Sequence, residues 1–373
     1  MKIGINARFL LQPYTGIGQY TRCLIEALAK VDFKNEYFLF TPELMDWNLP
    51  DHFHPIRVPE KAYRSASFRK AHWEHTLIPN EMAKWKVDLA HFPYPSNPWK
   101  RLPIPTIVTV HDVIPWRLSA YNTHLRSKLY HFYARLALKK ANHIITVSQF
   151  SKQEIISLFG IKPKNIAVIY EAPPTPSHHL DLPELSLRRD FLLYVGGYDV
   201  RKNVPNLIKA YLKHIANHYR IDLILVGSKD RGLESYVTDA YCERVGGHFP
   251  VRAKGSVIFT PPLTNNELTA LYKQASMLVH ASYYEGFNFP LVEAMSHGLP
   301  IVAADIPVNH EVTGGAALFV DPLSIDSIGV GIHQLLNDKA LKQKLSRDGL
   351  QKSKEYRWEK TAQETLEVYN LFA

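Results

Sequence analysis

A chain of 373 residues, 46% of them hydrophobic, is long enough for two cored domains and too apolar to be disordered. A formal net charge of +9 suits anionic partners such as nucleotides, phosphorylated lipids or a membrane surface, while the lack of any dense Lys/Arg block argues against nucleic acid. The two cysteines, Cys23 and Cys242, exclude a disulfide framework and a zinc-ligand set, and a reducing compartment is expected. The start of the sequence shows no apolar leader, and no stretch reaches the roughly 18 apolar residues that span a bilayer. The expected location is the cytoplasm, free or peripheral at the inner face of the membrane.

In chain order, Lys2–Asn6 reads as a short buried strand. A loop with Gly16 and Gly18 follows, then a helix on which Tyr20, Leu24, Ala27, Leu28 and Val31 recur at helical spacing. Tyr37–Phe40, Val87–Phe92, Ile107–Val110 and His143–Val147 are further apolar runs of strand length, with helical sequence around Arg126–Lys140. Buried strands alternating with helices predict a parallel sheet covered on both faces. From Pro173 to about Arg188 the chain is rich in proline and polar residues and reads as a linker. The alternation then restarts with Phe191–Val195, Leu223–Val226, Met277–His280, Ile301–Ala304 and Ala317–Val320. Trp358–Phe372 is a last helix with Ala362, Leu366 and Tyr369 on one face. The predicted organisation is an N-terminal domain over 1–172, a linker over 173–190, a C-terminal domain over 191–355, and a helix over 356–373 placed to pack back on the N-terminal domain.

The segment Glu285-Gly286-Phe287-Asn288-Phe289-Pro290-Leu291-Val292-Glu293 follows a strand, and open α/β sheets bind ligands at the carboxyl ends of strands. Pro290 suits the first turn of a helix that stops at Gly298-Leu299-Pro300. Phe287, Asn288 and Phe289 then stand at the helix N-terminus, where free N–H groups suit a pyrophosphate. Glu285 in the loop and Glu293, expected in the first turn, could accept hydrogen bonds from hydroxyls at two points of an extended ligand. Equally, Glu293 could be an acid favourably placed against the helix dipole, and Glu285 an ordinary loop residue.

Gly196-Gly197 end a strand and Arg201-Lys202 are expected to open a helix, which makes either a phosphate site or a solvated basic helix start. His111 ends the strand Ile107–Val110 with Asp112 beside it, and a lone histidine there is more often structural than catalytic. Thr15-Gly16-Ile17-Gly18 is a poor dinucleotide fingerprint, because Thr21 replaces the third glycine and the second strand runs into Thr41-Pro42 without a terminal acid. Thr260-Pro261-Pro262-Leu263, followed by Glu267, reads as a strand-to-helix turn. Tyr63–Lys86 interleaves basic and aromatic residues and could touch an anionic membrane, though a helix with a solvated basic face accounts for it better. There is no Asp-x-Asp motif, and His72-x-x-His75 has no matching ligands.

Together these segments resemble the retaining glycosyltransferases of the GT-B fold, glycosyltransferase family 4 above all, whose signature is two glutamates spaced as Glu285 and Glu293 are. Ordered motifs from Gly16 to Tyr356-Arg357-Trp358 carry the resemblance over nearly the whole chain. It implies an α/β protein of two Rossmann-like, doubly wound domains facing across a cleft, the C-terminal one binding a nucleoside diphosphate sugar. Glu285 would contact the donor sugar and Glu293 the ribose hydroxyls, with backbone contacts from Phe287, Asn288 and Phe289. Arg201 and Lys202 would hold the diphosphate, with Gly197 beside them and Leu263 near the base. Gly16 and Gly18 would lie near the donor phosphates, and His111 near the donor sugar, with Asp112 orienting it or shaping the acceptor site. The catalytic candidates are thus His111, Arg201, Lys202 and Glu285. The family often has glycine where Asn288 stands and arginine where Gly197 stands. Asn288 should accordingly narrow the sugar pocket or add a contact.

The implied reaction moves a hexose, with retention and without metal or cofactor, to a hydroxyl of a saccharide or lipid-linked acceptor in polysaccharide or glycolipid synthesis. A UDP-glucose-like donor is favoured and GDP-mannose is the alternative. A sugar-nucleotide epimerase or hydrolase of the same architecture is the competing reading, and a non-catalytic nucleotide-sugar binding protein a third.

Overall fold

The computed structural model describes residues 1–13, 15–121, 125–173, 190–227, 254–260 and 263–373. Cys242, Pro261, Pro262 and nearly all of the expected linker lie outside them. The chain divides into two compact units, Met1–Glu171 with Arg357–Ala373, and Ala172–Tyr356.

The first unit is built on a wholly parallel sheet of β1 (Lys2–Asn6), β2 (Glu36–Thr41), β3 (Phe53–Arg57), β4 (Leu89–Phe92), β5 (Thr106–Val110), β6 (His143–Thr146) and β7 (Ile166–Val168). Its spatial order is β3-β2-β1-β4-β5-β6-β7. The second unit holds β8 (Asp190–Val195), β9 (Ile221–Val226), β10 (Val257–Thr260), β11 (Met277–His280), β12 (Ile301–Ala304) and β13 (Leu318–Val320), in the order β10-β9-β8-β11-β12-β13. Both sheets therefore run outward from their first strand and then reverse, the doubly wound order. The reversal leaves a crevice beyond the carboxyl ends of β1 and β4 in one unit and of β8 and β11 in the other.

The central strands β4, β5, β6, β11 and β12 are buried along their whole length. Around the second sheet, Leu192, Tyr194, Leu223, Leu225, Met277, Val279 and Val302 pack against Val204, Ile208 and Tyr211 of the helix Val204–His214. Strands β3 and β7 were not expected from the sequence, and β10 was implied only by the strand-to-helix turn read at its end. All three are edge strands, and none is buried on both faces. An edge strand need not carry a continuous apolar run, so periodicity passes over it.

In the first unit the helix Gly16–Val31 starts at Thr15, whose hydroxyl accepts the Gly18 N–H at 3.1 Å. Gly18 sits against the preceding turn so closely that a Cβ would lie 2.1 Å from the Gln12 carbonyl oxygen. The last helix, Trp358–Asn370, packs on the same unit. Tyr369 reaches His91 at 2.7 Å, His91 reaches the Thr109 hydroxyl at 2.8 Å, and that hydroxyl lies 3.3 Å from Tyr20. Burial pushes His91 down to about 3, so this interior chain is neutral. Thr361 also donates to the Tyr170 carbonyl at 2.7 Å.

Gly18→Ala should therefore cost about 1–3 kcal/mol through overpacking against fixed backbone. Gly16→Ala, where nothing lies within 4 Å of the added Cβ, should be close to neutral. Thermal unfolding of the two variants checks this, and equal Tm shifts would refute the packing explanation.

Candidate functional site

The crevice of the second unit is assembled by the two segments that leave β8 and β11. After β8 the chain turns at Gly196, with φ of +153°, and Tyr194 fixes the turn by donating to the Gly197 carbonyl at 2.6 Å. Val200–Lys202 forms a short 3-10 turn, and Asn203 ends it in the left-handed region at φ of +57°. Arg201 and Lys202 thus precede the helix Val204–His214 instead of opening it, because Asn203 breaks the helical path. The Asn203 carboxamide donates to the carbonyls of Ala281 (2.9 Å) and Pro322 (2.7 Å), and the Tyr283 N–H donates to the Arg201 carbonyl at 2.8 Å. These bonds tie the two segments together.

Their product is a buried ion cluster. Glu285 takes Lys202 Nζ on Oε1 at 2.7 Å and Arg201 Nη1 on Oε2 at 2.5 Å, while Arg201 Nε lies 3.3 Å from Asp199. Burial alone would raise the Glu285 carboxyl, but Lys202 and Arg201 outweigh it and hold the group at about 2. Burial lowers Lys202, and the charge of Glu285 opposes that fall. The cluster therefore keeps a permanent carboxylate and two cations at one end of the sheet.

From Glu285 the chain runs through buried Phe287, whose ring meets that of Tyr356 at 5.8 Å, to Asn288 at φ of +72°. That conformation is open to glycine and, among side chains, best tolerated by Asn and Asp, which accounts for an asparagine at this position. Asn288 Nδ2 is turned inward onto Asn309 Oδ1 (2.9 Å) and His280 Nδ1 (3.2 Å). The side chain is thereby anchored between the ends of β11 and β12, and its Oδ1 is buried with no partner among the described residues. Burial, with Lys202 nearby, pushes His280 down to about 3, so it accepts the Asn288 bond as a neutral ring.

The helix Phe289–Ser296 begins immediately after Asn288. Glu293 is therefore in its second turn and not, as expected, in its first, and the helix dipole does not explain an acid there. The carboxyl is buried, and among the described residues no cation acts on it. The Tyr272 hydroxyl donates to its Oε2 at 2.6 Å, and burial, opposed by that bond, raises it to about 7. Two glutamates in one segment thus have opposite electrostatic settings, the usual sign that they do different work. Leu263 precedes the helix Asn265–Gln274, whose start is closed by reciprocal bonds between Thr264 and Glu267.

The first unit holds the remaining candidates. His111, just beyond β5, places Nδ1 2.8 Å from Glu171 Oε1 and Nε2 2.9 Å from the Pro93 carbonyl, with the Tyr20 ring edge-on at 4.7 Å. Both partners accept, so both ring nitrogens must carry hydrogen. Burial works against the resulting charge, but Glu171 and the Pro93 carbonyl outweigh it and hold His111 above its usual range. The group orienting His111 is therefore Glu171, which sequence reasoning missed. Asp112, read as orienting His111 or shaping the acceptor site, accepts the Ile114 N–H at 3.0 Å and adds only a smaller charge effect on the imidazole. Gly16 and Gly18 lie at the helix start described above. In the Tyr63–Lys86 stretch, Arg69 pairs with Glu60 at 3.0 Å and Lys70 lies 3.7 Å from Glu74, so both cations engage neighbours. Among the described residues no helix is long and apolar enough to cross a membrane, and no group of three or more His, Cys, Asp or Glu could hold a metal ion.

Comparison with known proteins points one way. Residues 14–172 match the family model described as Glycosyltransferase Family 4, and residues 183–352 the one described as Glycosyl transferases group 1. The chain is 29% identical to O-antigen chain mannosyltransferase B of Escherichia coli over 100% of both chains. It is 30% identical to O-antigen chain mannosyltransferase RfbU of Salmonella typhimurium over 58% of this chain and 56% of that one. Among solved structures, sucrose-phosphate synthase from Thermosynechococcus elongatus matches with a TM-score of 0.78 at 20% identity, covering 100% of this chain and 98% of that one. HepE from Anabaena, solved with UDP and glucose, matches at 0.70 and 18% identity over 99% of each.

Glu171→Gln removes the charge partner of His111. Its imidazole, followed by NMR titration, should then titrate at lower pH, and an unmoved titration would contradict the pairing. The folded-state value is raised, so the pair stabilises fully below the unfolded value of about 6.5 and fades as pH rises through the folded one. The stability gap between native chain and variant should be about 1.5–3 kcal/mol at pH 6 and narrow in alkali.

Proposed function

The chain belongs to the glycosyltransferases of group 1 and family 4, with the two Rossmann-like domains of the GT-B fold, and we propose that it transfers mannose from GDP-mannose, with retention of configuration, to a hydroxyl of a growing O-antigen-type saccharide. The observation that carries a nucleotide-sugar site is the Arg201–Lys202–Glu285 cluster beside a helix N-terminus at the crevice of the second sheet. Mannose is favoured over glucose because the two O-antigen relatives are named mannosyltransferases.

In this reading the diphosphate lies against Arg201 and Lys202 and the amino end of the 289–296 helix. As the bond from the anomeric carbon to the phosphate oxygen breaks, negative charge grows on the leaving diphosphate. Two fixed cations and a helix dipole stabilise it there, so the step calls on no metal. Glu285, held ionised, accepts hydroxyls of the sugar, and Glu293 accepts those of the ribose. The acceptor oxygen forms its bond on the face the phosphate leaves, and its proton passes to the departing phosphate oxygen. The acceptor would be a saccharide or lipid-linked saccharide. His111 has both ring nitrogens bonded within its own unit, which leaves no free nitrogen to act as a base. An epimerase or hydrolase is disfavoured by the same relatives.

Thermal-shift screening against GDP-mannose, UDP-glucose and ADP-glucose should give the largest stabilisation with GDP-mannose. A larger shift with UDP-glucose would overturn the donor. Lys202→Ala should lower turnover by about 10²–10³, and near-normal transfer would remove Lys202 from the reaction. Nucleotide affinity should rise as pH climbs through about 7, where Glu293 ionises and becomes a pure acceptor. A flat calorimetric profile from pH 6 to 8 would contradict the ribose role.

A further inference from the structure

Glu293 is held by one oxygen only. Tyr272 donates to Oε2 at 2.6 Å, and among the described residues no group bonds Oε1. Tyr272 comes from a different helix, Asn265–Gln274, and is fully buried. Burial and the neighbouring carboxyl push its own ionisation far up, so it remains a proton donor at every working pH. The ring is braced in turn. His297 stacks on it at 5.4 Å with 12° between the planes, and His297 Nδ1 is bonded to the Glu293 carbonyl at 2.8 Å. His297 follows Glu293 by one helical turn, so the imidazole closes a ring of contacts from the Glu293 backbone through His297 and Tyr272 back to the Glu293 carboxylate.

A buried carboxyl without a cation would ordinarily take up a proton and rotate to satisfy itself. The phenol opposes both outcomes. It fixes the carboxylate plane through Oε2, favours the ionised form, and leaves acceptor capacity on Oε1.

We propose that Tyr272, braced by His297, is the positioning residue that presents Glu293 to the vicinal hydroxyls of the donor's ribose, and so sets the preference for ribonucleotides over deoxynucleotides. The inference rests on the ribose reading of Glu293. A site whose carboxylate is held ready for two hydroxyls loses most when a ligand lacks them, because its acceptor is then left buried and unpaired.

The test uses calorimetry of the full chain with GDP and UDP and with their 2′,3′-dideoxy analogues. The native chain should bind the better of GDP and UDP at least about tenfold more tightly than its dideoxy analogue. Tyr272→Phe keeps the ring and its stacking but removes the hydroxyl. It should weaken ribonucleotide binding by about tenfold, leave dideoxy binding unchanged, and so abolish most of the preference. In turnover, donor KM should rise by a like factor while kcat at saturating donor stays within about twofold. His297→Leu, which removes the brace and leaves the phenol, should shift the preference the same way by a smaller factor.

Equal binding of ribo- and dideoxynucleotides by the native chain would refute the ribose reading itself. A native preference that survives intact in both Tyr272→Phe and His297→Leu would refute the positioning role alone. Equal losses for both classes of nucleotide would mark Tyr272 as structural and also overturn it.

Discussion

A carboxylate buried between two cations is the constraint around which the second unit is organised. Taking Glu285, Arg201 and Lys202 out of water costs several kcal/mol for each ion, and the attraction among them offsets that only where geometry and hydrogen bonding are good. The geometry comes from segments more than 80 residues apart in sequence, since Lys202 and Glu285 are separated by 83. They meet because β8 and β11 are neighbours at the point where the strand order reverses. Asn203 then locks the cationic turn against the end of β11 through its carboxamide, and Asn288 anchors the following loop beneath. Strand order, left-handed asparagines and buried charge are thus one arrangement.

The same segment separates two kinds of acceptor. Glu285 is ionised because cations hold it so, and any diphosphate bound there shares those cations with it. Among the described residues Glu293 has only a phenol as partner, and its charge state remains open to what it touches. A donor molecule carries fixed negative charge at its phosphates and neutral hydroxyls at its ribose. On the proposed reading, the charged cluster meets the first and an adaptable acceptor the second. In the first unit His111 follows a third pattern, with each ring nitrogen committed to a protein acceptor and a charge sustained by Glu171.

The sequence is legible where one residue type is dictated by its immediate surroundings. Central strands are covered on both faces and read as unbroken apolar runs. The edge strands β3, β7 and β10 are not so covered, and β10 has no fully buried residue. The Glu285–Glu293 segment was legible because strand end, proline and glycine stop are local signals. What escaped was every partner supplied from a distance. Glu171 lies 60 residues from His111 and follows an edge strand that periodicity does not reveal. Tyr272 reads as a core aromatic on an amphipathic helix, and only its hydroxyl distinguishes it from one. The two errors of position, Arg201-Lys202 opening a helix and Glu293 in a first turn, share a cause. In each case an asparagine with positive φ resets where the helix begins.

The chain leaves the first unit at Glu171 and returns to it at Arg357. A ribosome making this protein therefore releases the pieces out of structural order. The second unit emerges whole, while the first has its seven-stranded sheet but not the helix that closes it. Until Tyr369 arrives, His91 Nδ1 lacks its hydrogen-bond partner and the 16–31 helix lacks the packing of the last helix. Domains usually complete themselves from the N-terminus during synthesis. Here the first unit is the one left to wait, because its closing helix follows the whole of the second unit in the chain.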